Sequence, residues 1–265
     1  MSFAGSMESS NADNFFIVPL ESLLSLKGYA LKDSIIKMAR MTSQNIIPAS
    51  IKGLKLYRTL RTLLLAHDDI YDAEYYERDV EAAAVQSADS ISNSILSQFS
   101  PKSVVDVGCG TGAMLAAFRE KGCHVDGLEY SEAALDYCRR RGLVITKFNI
   151  EQDDITTVLM GQKYDVAISL EVAEHLPENI ANRYVALLCR LAPIIVMSAA
   201  QPGQGGNDHV NEQPHSYWVE KFRTHKFMLD EKITNKFSEI WSAGRAASFY
   251  YENVMVFRRE KALAI

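Results

Sequence analysis

Short apolar runs alternate with amphipathic stretches through the middle of this 265-residue chain. The apolar runs predict strands near residues 103–107, 124–128, 143–148, 164–170 and 193–198. Apolar positions at helical spacing predict intervening helices near residues 113–121, 131–141 and 178–191. This alternation of strands and helices indicates an α/β fold, in which helices cover both faces of a parallel sheet.

The alternation breaks down in the last quarter of the chain. Residues 218–227 have the spacing of an amphipathic helix, residues 227–229 are a short apolar run, and residues 253–259 read as a final strand. The polar, serine-rich stretch at residues 86–100 marks the predicted boundary of the main domain. We therefore predict three parts: a disordered leader at residues 1–14, a helical amino-terminal extension at 15–95 and a main α/β domain at 96–265.

Charge is distributed unevenly along the chain. The net charge is −5, yet residues 27–65 contain eight Lys or Arg residues and a single acidic residue, Asp33. Basic side chains recur at every third residue from Lys52 to Arg61 among apolar residues, which predicts an amphipathic helix with a basic face. Such a face suits weak contact with an anionic membrane surface or a nucleic acid. The simpler interpretation is a solvated helix, or one that pairs with the acidic main domain.

The cysteines and the amino terminus bear on the cellular compartment. The four cysteines are scattered, and no two of them form a C-x-x-C pair; they are Cys109, Cys123, Cys138 and Cys189. Isolated thiols are typical of reducing compartments, so we expect a cytoplasmic protein with reduced cysteines. Residues 1–14 lack the basic and apolar regions of a signal peptide, and we expect no transmembrane segment.

The most informative motif is a glycine-rich loop after a buried strand, with the sequence VVDVGCGTG at residues 104–112. Glycines allow the backbone angles of a tight turn and let a polar ligand approach the main chain. Gly108, Gly110 and Ala113 also satisfy the G-x-G-x-x-G/A pattern of dinucleotide-binding folds, and Glu129 follows about 20 residues later, as that pattern requires. The loop alone therefore leaves a nicotinamide cofactor as an alternative.

Two further segments bear on the choice of cofactor. An acidic strand end, HVDGLE, occupies residues 124–129, and the segment YDVAISLEVAEHLP occupies residues 164–177. In this order the three segments resemble the class I S-adenosylmethionine (SAM) dependent methyltransferases, over roughly residues 100–260. The resemblance implies SAM as the cofactor and a Rossmann-like, seven-stranded, mostly parallel sheet whose last strand is antiparallel. It also makes residues 96–265 the methyltransferase domain.

Ligands of open α/β sheets bind outside the carboxyl ends of the strands, and the expected cofactor contacts follow such ends. The resemblance implies that the loop glycines lie against the amino-acid part of SAM and that the Glu129 carboxylate accepts both ribose hydroxyls. It implies that Asp106 either organises the loop or contacts the ammonium group of SAM. The family usually places an Asp near the adenine amino group. Here Asn149 stands at that position, and Asp153 or Asp154 is the alternative if the loop is longer. The full predicted set is Asp106, Gly108, Cys109, Gly110, Glu129, Tyr130, Asn149, Ile150, Leu170 and Glu171.

Carboxylates and imidazoles are predicted beside the cofactor. Glu171, Glu174 and His175 have the i, i+3, i+4 spacing of one face of a helical turn, and His209 follows the fifth strand. The set resembles the E-x-x-E-H plus distant His of the small-RNA terminal 2′-O-methyltransferases and the metal-assisted ubiquinone-biosynthesis O-methyltransferases. That resemblance implies that Glu171, Glu174, His175 and His209 bind Mg²⁺ or Mn²⁺. Metal-free relatives share the E-H-L-P sequence, so a general base drawn from His175, His209 and His215 stays open.

The methyl acceptor is less constrained by the sequence. The glycine-rich stretch at residues 202–211 reads as a substrate loop, and the tyrosines Tyr71, Tyr75 and Tyr76 either close over the cofactor or form a packed helix face. We favour O-methylation of a hydroxylated small molecule or sugar, with either a divalent metal or a histidine base to activate the acceptor. An RNA-terminal 2′-O-methyltransferase is disfavoured because RNA recognition usually brings a net basic domain. Metal-free N-methylation of a small molecule stays open as well, and SAM binding without turnover is the least favoured function.

Overall fold

The computed structural model describes residues 71–206 and 208–260. The predicted leader at residues 1–14 and the basic segment at residues 27–65 lie outside the described residues, so their interpretation stays a prediction. Within the described part of the chain, no helix is long and apolar enough to cross a membrane.

A long helical segment leads into the sheet. It consists of α1 (Ala73–Tyr75), a π-helical stretch (Tyr76–Glu81) and α2 (Ala82–Phe99). The Asp72 carboxylate caps the first turn by accepting a hydrogen bond from the backbone N–H of Tyr75 (3.0 Å). This capped start fixes where the chain enters the helix, just after Tyr71.

The serine-rich stretch inside α2 is helical and packs on the main domain. Ser94 Oγ donates to the Ile91 carbonyl (2.7 Å) and accepts from Trp241 Nε1 (2.7 Å), so a polar side chain is satisfied inside a buried interface. Ile91 and Ile95 are fully buried. The predicted boundary at residues 95–96 therefore falls within a continuous helix.

Seven strands form one sheet with the spatial order β3-β2-β1-β4-β5-β7-β6. They are β1 (Ser103–Val107), β2 (His124–Glu129), β3 (Thr146–Lys147), β4 (Val166–Leu170), β5 (Ile194–Ser198), β6 (Phe227–Leu229) and β7 (Val254–Arg259). Strands β1 to β5 are parallel, and β7 runs antiparallel between β5 and β6. The predicted Rossmann-like sheet with an antiparallel last strand is confirmed. Strand β3 is shorter than predicted, because only its two residues pair with the end of β2.

Helices flank the sheet: α3 (Ala113–Glu120), α4 (Glu132–Arg140), α5 (Ala181–Leu191), α6 (His215–Thr224), α7 (Glu231–Ala243) and α8 (Ser248–Asn253). The first three were predicted from the sequence. Helix α6 begins three residues before the predicted start and ends at Thr224, because Lys226 adopts a left-handed conformation (φ 61°) and Phe227 begins β6. Helices α7 and α8 were not predicted.

The strands bury alternate side chains in two cores, one on each face of the sheet. Val105 and Val107 belong to the core that contains Trp218 of α6. Val104 belongs to the other core, with Trp241 of α7. Because both faces are covered, the accessible part of the sheet is its carboxyl edge, where a ligand is expected in a fold of this type.

Candidate active site

A cavity of about 700 Å³ opens at the carboxyl ends of β1, β2 and β4. All ten residues predicted as cofactor contacts line this cavity, and so do His175 and His209. Tyr71, Tyr75 and Tyr76 close it from the side of the helical segment. The structure thus brings together segments that are far apart in the sequence; what each side chain binds there remains a prediction.

The glycine loop lies directly against the turn after β4. Gly108 and Gly110 have positive φ angles of 76° and 52°, which favour glycine. A Cβ atom added to Gly108 would lie 2.6 Å from Cγ2 of Val172, so no larger residue fits there without movement. The Gly108 N–H donates to the Leu128 carbonyl (2.8 Å), which connects the loop to β2. The loop backbone is therefore packed tightly between β2 and Val172 while it lines the cavity.

Glu129 connects the end of β2 to this loop. One of its oxygens, Oε2, accepts from the Gly110 N–H (2.8 Å), and Oε1 accepts from the N–H groups of Tyr130 (2.7 Å) and Ser131 (2.8 Å). A carboxylate oxygen has more than one lone-pair position, so these bonds are compatible with ribose hydroxyls as additional donors. Burial, together with the Glu129 charge, raises the pKa of nearby Asp106 well above its usual value.

The loop after β3 contributes Asn149 and Ile150. The side-chain oxygen of Asn149 accepts from the Glu151 N–H (2.8 Å), and the Asn149 N–H donates to Asp153 (2.7 Å). The Asn149 oxygen thus already has a partner within its own turn. Ile150 is buried and presents an apolar side chain to the cavity.

The carboxylate of Glu171 contacts two amide side chains at the cavity wall. Glu171 has a left-handed backbone (φ 55°), and its side chain accepts from Asn253 Nδ2 and Gln204 Nε2, both at 3.4 Å. The helical turn that follows begins only at Ala173 and is a 3₁₀ turn, Ala173–His175. Glu171 therefore does not share a helix face with Glu174 and His175. Burial raises the pKa of Glu171.

Three potential metal ligands come together at the edge of the cavity. One ligand atom from each of Glu174, His175 and His209 lies within 4.8 Å of the others. The rings of His175 and His209 meet edge to face, with centroids 5.0 Å apart. Glu171, which the sequence predicted as a fourth ligand, is not in this group, although it lies close enough for its charge to act on Glu174. Its role as a ligand stays a prediction.

Glu174 is the most unusual group of the three. Its side chain is fully buried, and neither carboxylate oxygen makes a well-formed hydrogen bond within the described part of the protein, although Glu171 and the Ala200 backbone lie nearby. Burial, and then the charge of Glu171, raise its pKa well above the usual value. The Glu174 backbone carbonyl accepts from the N–H groups of Val210 (2.9 Å) and Asn211 (3.0 Å). These bonds fix the loop that carries His209 against the turn that carries Glu174 and His175.

Each histidine is oriented through its Nδ1 atom. His209 Nδ1 lies 2.9 Å from Oε1 of Glu212. His175 Nδ1 lies 3.0 Å from the hydroxyl of Tyr71, which also donates to Asp208 Oδ2 (2.8 Å). Tyr71 precedes the long helical segment, so the amino-terminal part of the chain contributes directly to the site. None of Tyr71, Asp208 and Glu212 was predicted to orient a histidine, although the H-x-x-E spacing of His209 and Glu212 is visible in the sequence.

His215, a predicted candidate for the general base, lies elsewhere. It is the first residue of α6 and does not line the cavity. Its Nε2 atom is buried without a hydrogen-bond partner among the described residues, and burial lowers the pKa of its imidazole. The geometry therefore leaves His175 and His209 as the histidines at the cavity. Gln204, Phe249 and Tyr250 also line it, and the sequence did not single them out.

The sheet order and a cavity at the carboxyl ends of β1, β2 and β4 define the class I SAM-dependent methyltransferase fold. Residues 104–192 match the family described as "Methyltransferase domain". The chain therefore contains a class I SAM-dependent methyltransferase domain, and the resemblance seen in the sequence is confirmed.

Curated relatives include two kinds of methyltransferase. The chain is 33% identical over 87 residues to a ubiquinone biosynthesis O-methyltransferase of Histophilus somni, covering 30% of this chain and 37% of the relative. It is 31% identical over 105 residues to dTDP-3-amino-3,4,6-trideoxy-alpha-D-glucopyranose N,N-dimethyltransferase of Streptomyces venezuelae, covering 39% and 42% respectively. These matches span less than half the length of either relative.

Solved structures support the fold. The magnesium protoporphyrin IX methyltransferase of Synechocystis PCC 6803, solved with bound SAM, superposes with a TM-score of 0.51 at 17% identity, covering 78% of this chain and 93% of that one. The DesVI structure of Streptomyces venezuelae gives a TM-score of 0.50 at 17% identity, covering 74% and 99%. At this level of identity the similarity establishes the fold alone.

Proposed function

We propose that this protein transfers the methyl group of SAM to an oxygen of a hydroxylated small molecule or sugar, assisted by a divalent metal ion bound by Glu174, His175 and His209. The observation that carries the proposal is the carboxylate of Glu174. It is fully buried, makes no well-formed hydrogen bond in the described structure, and lies with two imidazoles at the edge of the cofactor cavity. Buried charges are normally paired or bound to a metal.

The cavity fits SAM in size and in chemistry. Its volume of about 700 Å³ lies in the range of cofactor pockets. The Gly108 backbone allows close approach, and the Glu129 carboxylate stands at the end of β2, where it can accept ribose hydroxyls. When bound, SAM supplies an already activated sulfonium methyl group. The tasks left to the protein are to hold the acceptor oxygen in line with that group and to exclude water.

The residues around Glu174 fit a metal ion. Metal-bound histidines usually donate their second ring N–H to a carboxylate or another acceptor, and both histidines here have such a partner at Nδ1: Glu212 for His209 and Tyr71 for His175. Two imidazoles with one carboxylate suit first-row ions such as Mn²⁺ better than Mg²⁺, which prefers oxygen ligands. A bound ion lowers the pKa of a hydroxyl that it holds. Glu174, His175 and His209 would hold the ion through three ligand atoms, and neighbouring acceptor oxygens could bind it as well.

A metal-free N-methyltransferase is the second candidate. The sugar N,N-dimethyltransferase among the relatives favours it. The His209–Glu212 pair also has the geometry of a general base oriented by a carboxylate, which can remove a proton without a metal. In this mechanism the acceptor is an amine. A chelator should therefore affect neither SAM binding nor turnover.

Calorimetry with S-adenosylhomocysteine, the demethylated product of SAM, tests the cofactor, and titration of Mn²⁺ tests the metal. We expect the nucleoside to bind with or without chelator, and one Mn²⁺ to bind per chain. Glu174→Gln should abolish Mn²⁺ binding and preserve nucleoside binding. Glu178→Gln is the matched control, since Glu178 is exposed four residues further along.

The outcomes separate the candidates. Nucleoside binding without Mn²⁺ binding would reject the metal and leave the N-methyltransferase, which is then assayed on amino sugars. Absence of nucleoside binding would reject the methyltransferase activity itself. Mn²⁺ binding that survives Glu174→Gln would place the ion elsewhere on the protein.

A further inference from the structure

Glu212 makes three contacts within the loop between β5 and α6. Its Oε2 atom accepts from the Gly203 N–H (2.8 Å), and its Oε1 atom accepts from the Gly205 N–H (2.8 Å). Oε1 also lies 2.9 Å from His209 Nδ1. The side chains of His209 and Glu212 are only 10% and 15% exposed. A single, largely buried carboxylate thus connects the glycine-rich part of the loop to the histidine at the cavity.

We propose that Glu212 is a positioning residue for the reaction: it fixes the orientation and the tautomer of His209 and keeps the glycine-rich loop closed around that ring. The inference rests on the proposed function in so far as His209 acts at the reacting centre. It applies to both candidate mechanisms, because an imidazole must present a basic nitrogen whether it binds a metal or removes a proton.

The tautomer follows from the chemistry of the partner. An ionised carboxylate only accepts hydrogen bonds, so the His209 nitrogen that faces it must carry the proton. With the proton on Nδ1, the lone pair of the neutral ring lies on Nε2. This is the arrangement found when a carboxylate orients a metal-bound or catalytic histidine. Glu212 therefore determines which nitrogen of His209 can react.

The backbone at Gly206 restrains the other side of the ring. A Cβ atom added to Gly206 would lie 2.3 Å from His209 Nε2, so the main chain passes against the imidazole where only glycine fits. Gly203 and Gly205, on the same loop, are held by Glu212. The ring thus lies between the Glu212 carboxylate and a backbone that the same carboxylate anchors. Removal of the Glu212 carboxylate should therefore make both the His209 ring and the glycine-rich backbone more mobile.

Glu212→Leu is the direct test. Leucine is of similar size but has no acceptor, so the N–H groups of Gly203 and Gly205 and the His209 ring all lose their partner. We would record the ring nitrogen signals of His209 by long-range ¹H–¹⁵N correlation at fixed pH, assigning them by their absence in His209→Gln. We expect the wild type to show one tautomer with the proton on Nδ1, and the variant to show a mixture. Amide hydrogen exchange at Gly203 and Gly205 should become faster.

Binding measurements complete the test. In Glu212→Leu the Kd for Mn²⁺ should rise about 10- to 100-fold, the usual effect of losing the partner of a metal-bound histidine. The Kd for S-adenosylhomocysteine should not change. Glu220→Leu is the matched control, because Glu220 is an exposed carboxylate of α6 that pairs with Arg223. It should leave every readout at the wild-type value.

The results distinguish failure of this inference from failure of the proposed function. Faster amide exchange with an unchanged His209 tautomer would make Glu212 a loop anchor only and would overturn the inference. If wild-type protein binds no Mn²⁺, the metal proposal fails, and the tautomer measurement alone decides the role of Glu212. If it binds no S-adenosylhomocysteine, the methyltransferase proposal fails while the tautomer result still stands.

Discussion

Replacing Glu174 by glutamine should stabilise the protein when no metal is bound. Its carboxylate is fully buried with neither oxygen in a well-formed hydrogen bond in the described structure, and the neighbouring Glu171 raises its pKa further. An unsatisfied buried polar group costs about 1–3 kcal/mol, and a charged one costs more. Glutamine keeps the shape and removes the charge. We therefore expect Glu174→Gln to be more stable in EDTA by about 1–3 kcal/mol, with a Tm higher by about 2–4 °C per kcal/mol.

In the presence of Mn²⁺ the wild type should be more stable than Glu174→Gln. An ion that binds only the folded state stabilises it by about 2.7 kcal/mol when its concentration is 100 times Kd. The wild type should gain this stabilisation and Glu174→Gln should not. The assay is urea unfolding followed by circular dichroism, in EDTA and in Mn²⁺, with Glu178→Gln as the control. A variant less stable than wild type in EDTA, or equal stabilisation of both proteins by Mn²⁺, would refute this prediction.

The difference in stability between wild type and Glu174→Gln in EDTA should depend on pH. A carboxyl group whose pKa is raised in the folded state favours folding most when it is protonated in both states, below its unfolded-state value of 4.5. This contribution to stability is lost as the pH rises from 4.5 towards the folded-state pKa. In EDTA the advantage of Glu174→Gln should therefore be absent below pH 4.5 and grow towards neutral pH. A difference that does not change with pH would mean that folding does not shift the pKa of Glu174.

Three further substitutions address other parts of the site. Glu129→Ala should weaken S-adenosylhomocysteine binding about 10- to 100-fold in calorimetry, because hydrogen bonds to a charged group contribute about 1.5–3 kcal/mol each; unchanged affinity would show that the end of β2 does not bind the ribose. Tyr71→Phe removes the hydroxyl that contacts His175 and should raise the Kd for Mn²⁺ about fivefold, as expected for about 1 kcal/mol, and an unchanged Kd would show that this contact does not orient the ring. His215→Ala should change the affinity for neither S-adenosylhomocysteine nor Mn²⁺. Weaker binding of either would show that His215 contributes to the site.

Much of the fold could be predicted because its signals are local. Buried parallel strands are short apolar runs, and the glycine loop follows the first of them, so the sheet and the position of the cavity were predictable. Helix α7 was missed although its signal is present: Ile233, Phe237 and Trp241 recur at every fourth residue and are all buried, and Asp230 caps the helix by accepting from the Ile233 N–H (3.1 Å).

The site was less predictable because its geometry depends on backbone angles and distant contacts. The spacing of Glu171, Glu174 and His175 suggested one helical face, but the left-handed conformation of Glu171 turns its carboxylate toward Asn253. No local pattern signals such an angle at a non-glycine residue. The contact between Tyr71 and His175 joins residues 104 positions apart, and only the folded chain shows it.

The three candidate ligands depend on one another through the main chain. Glu174 and His175 share a single 3₁₀ turn, and the backbone carbonyl of Glu174 accepts the hydrogen bonds that hold the loop of His209. Tyr71 joins the same arrangement by contacting both His175 and Asp208. A change that shifts this turn would therefore move both histidines, whereas a side-chain change such as Glu174→Gln leaves these backbone bonds intact. For that reason side-chain substitutions, and not deletions within the turn or the loop, can separate the role of each ligand.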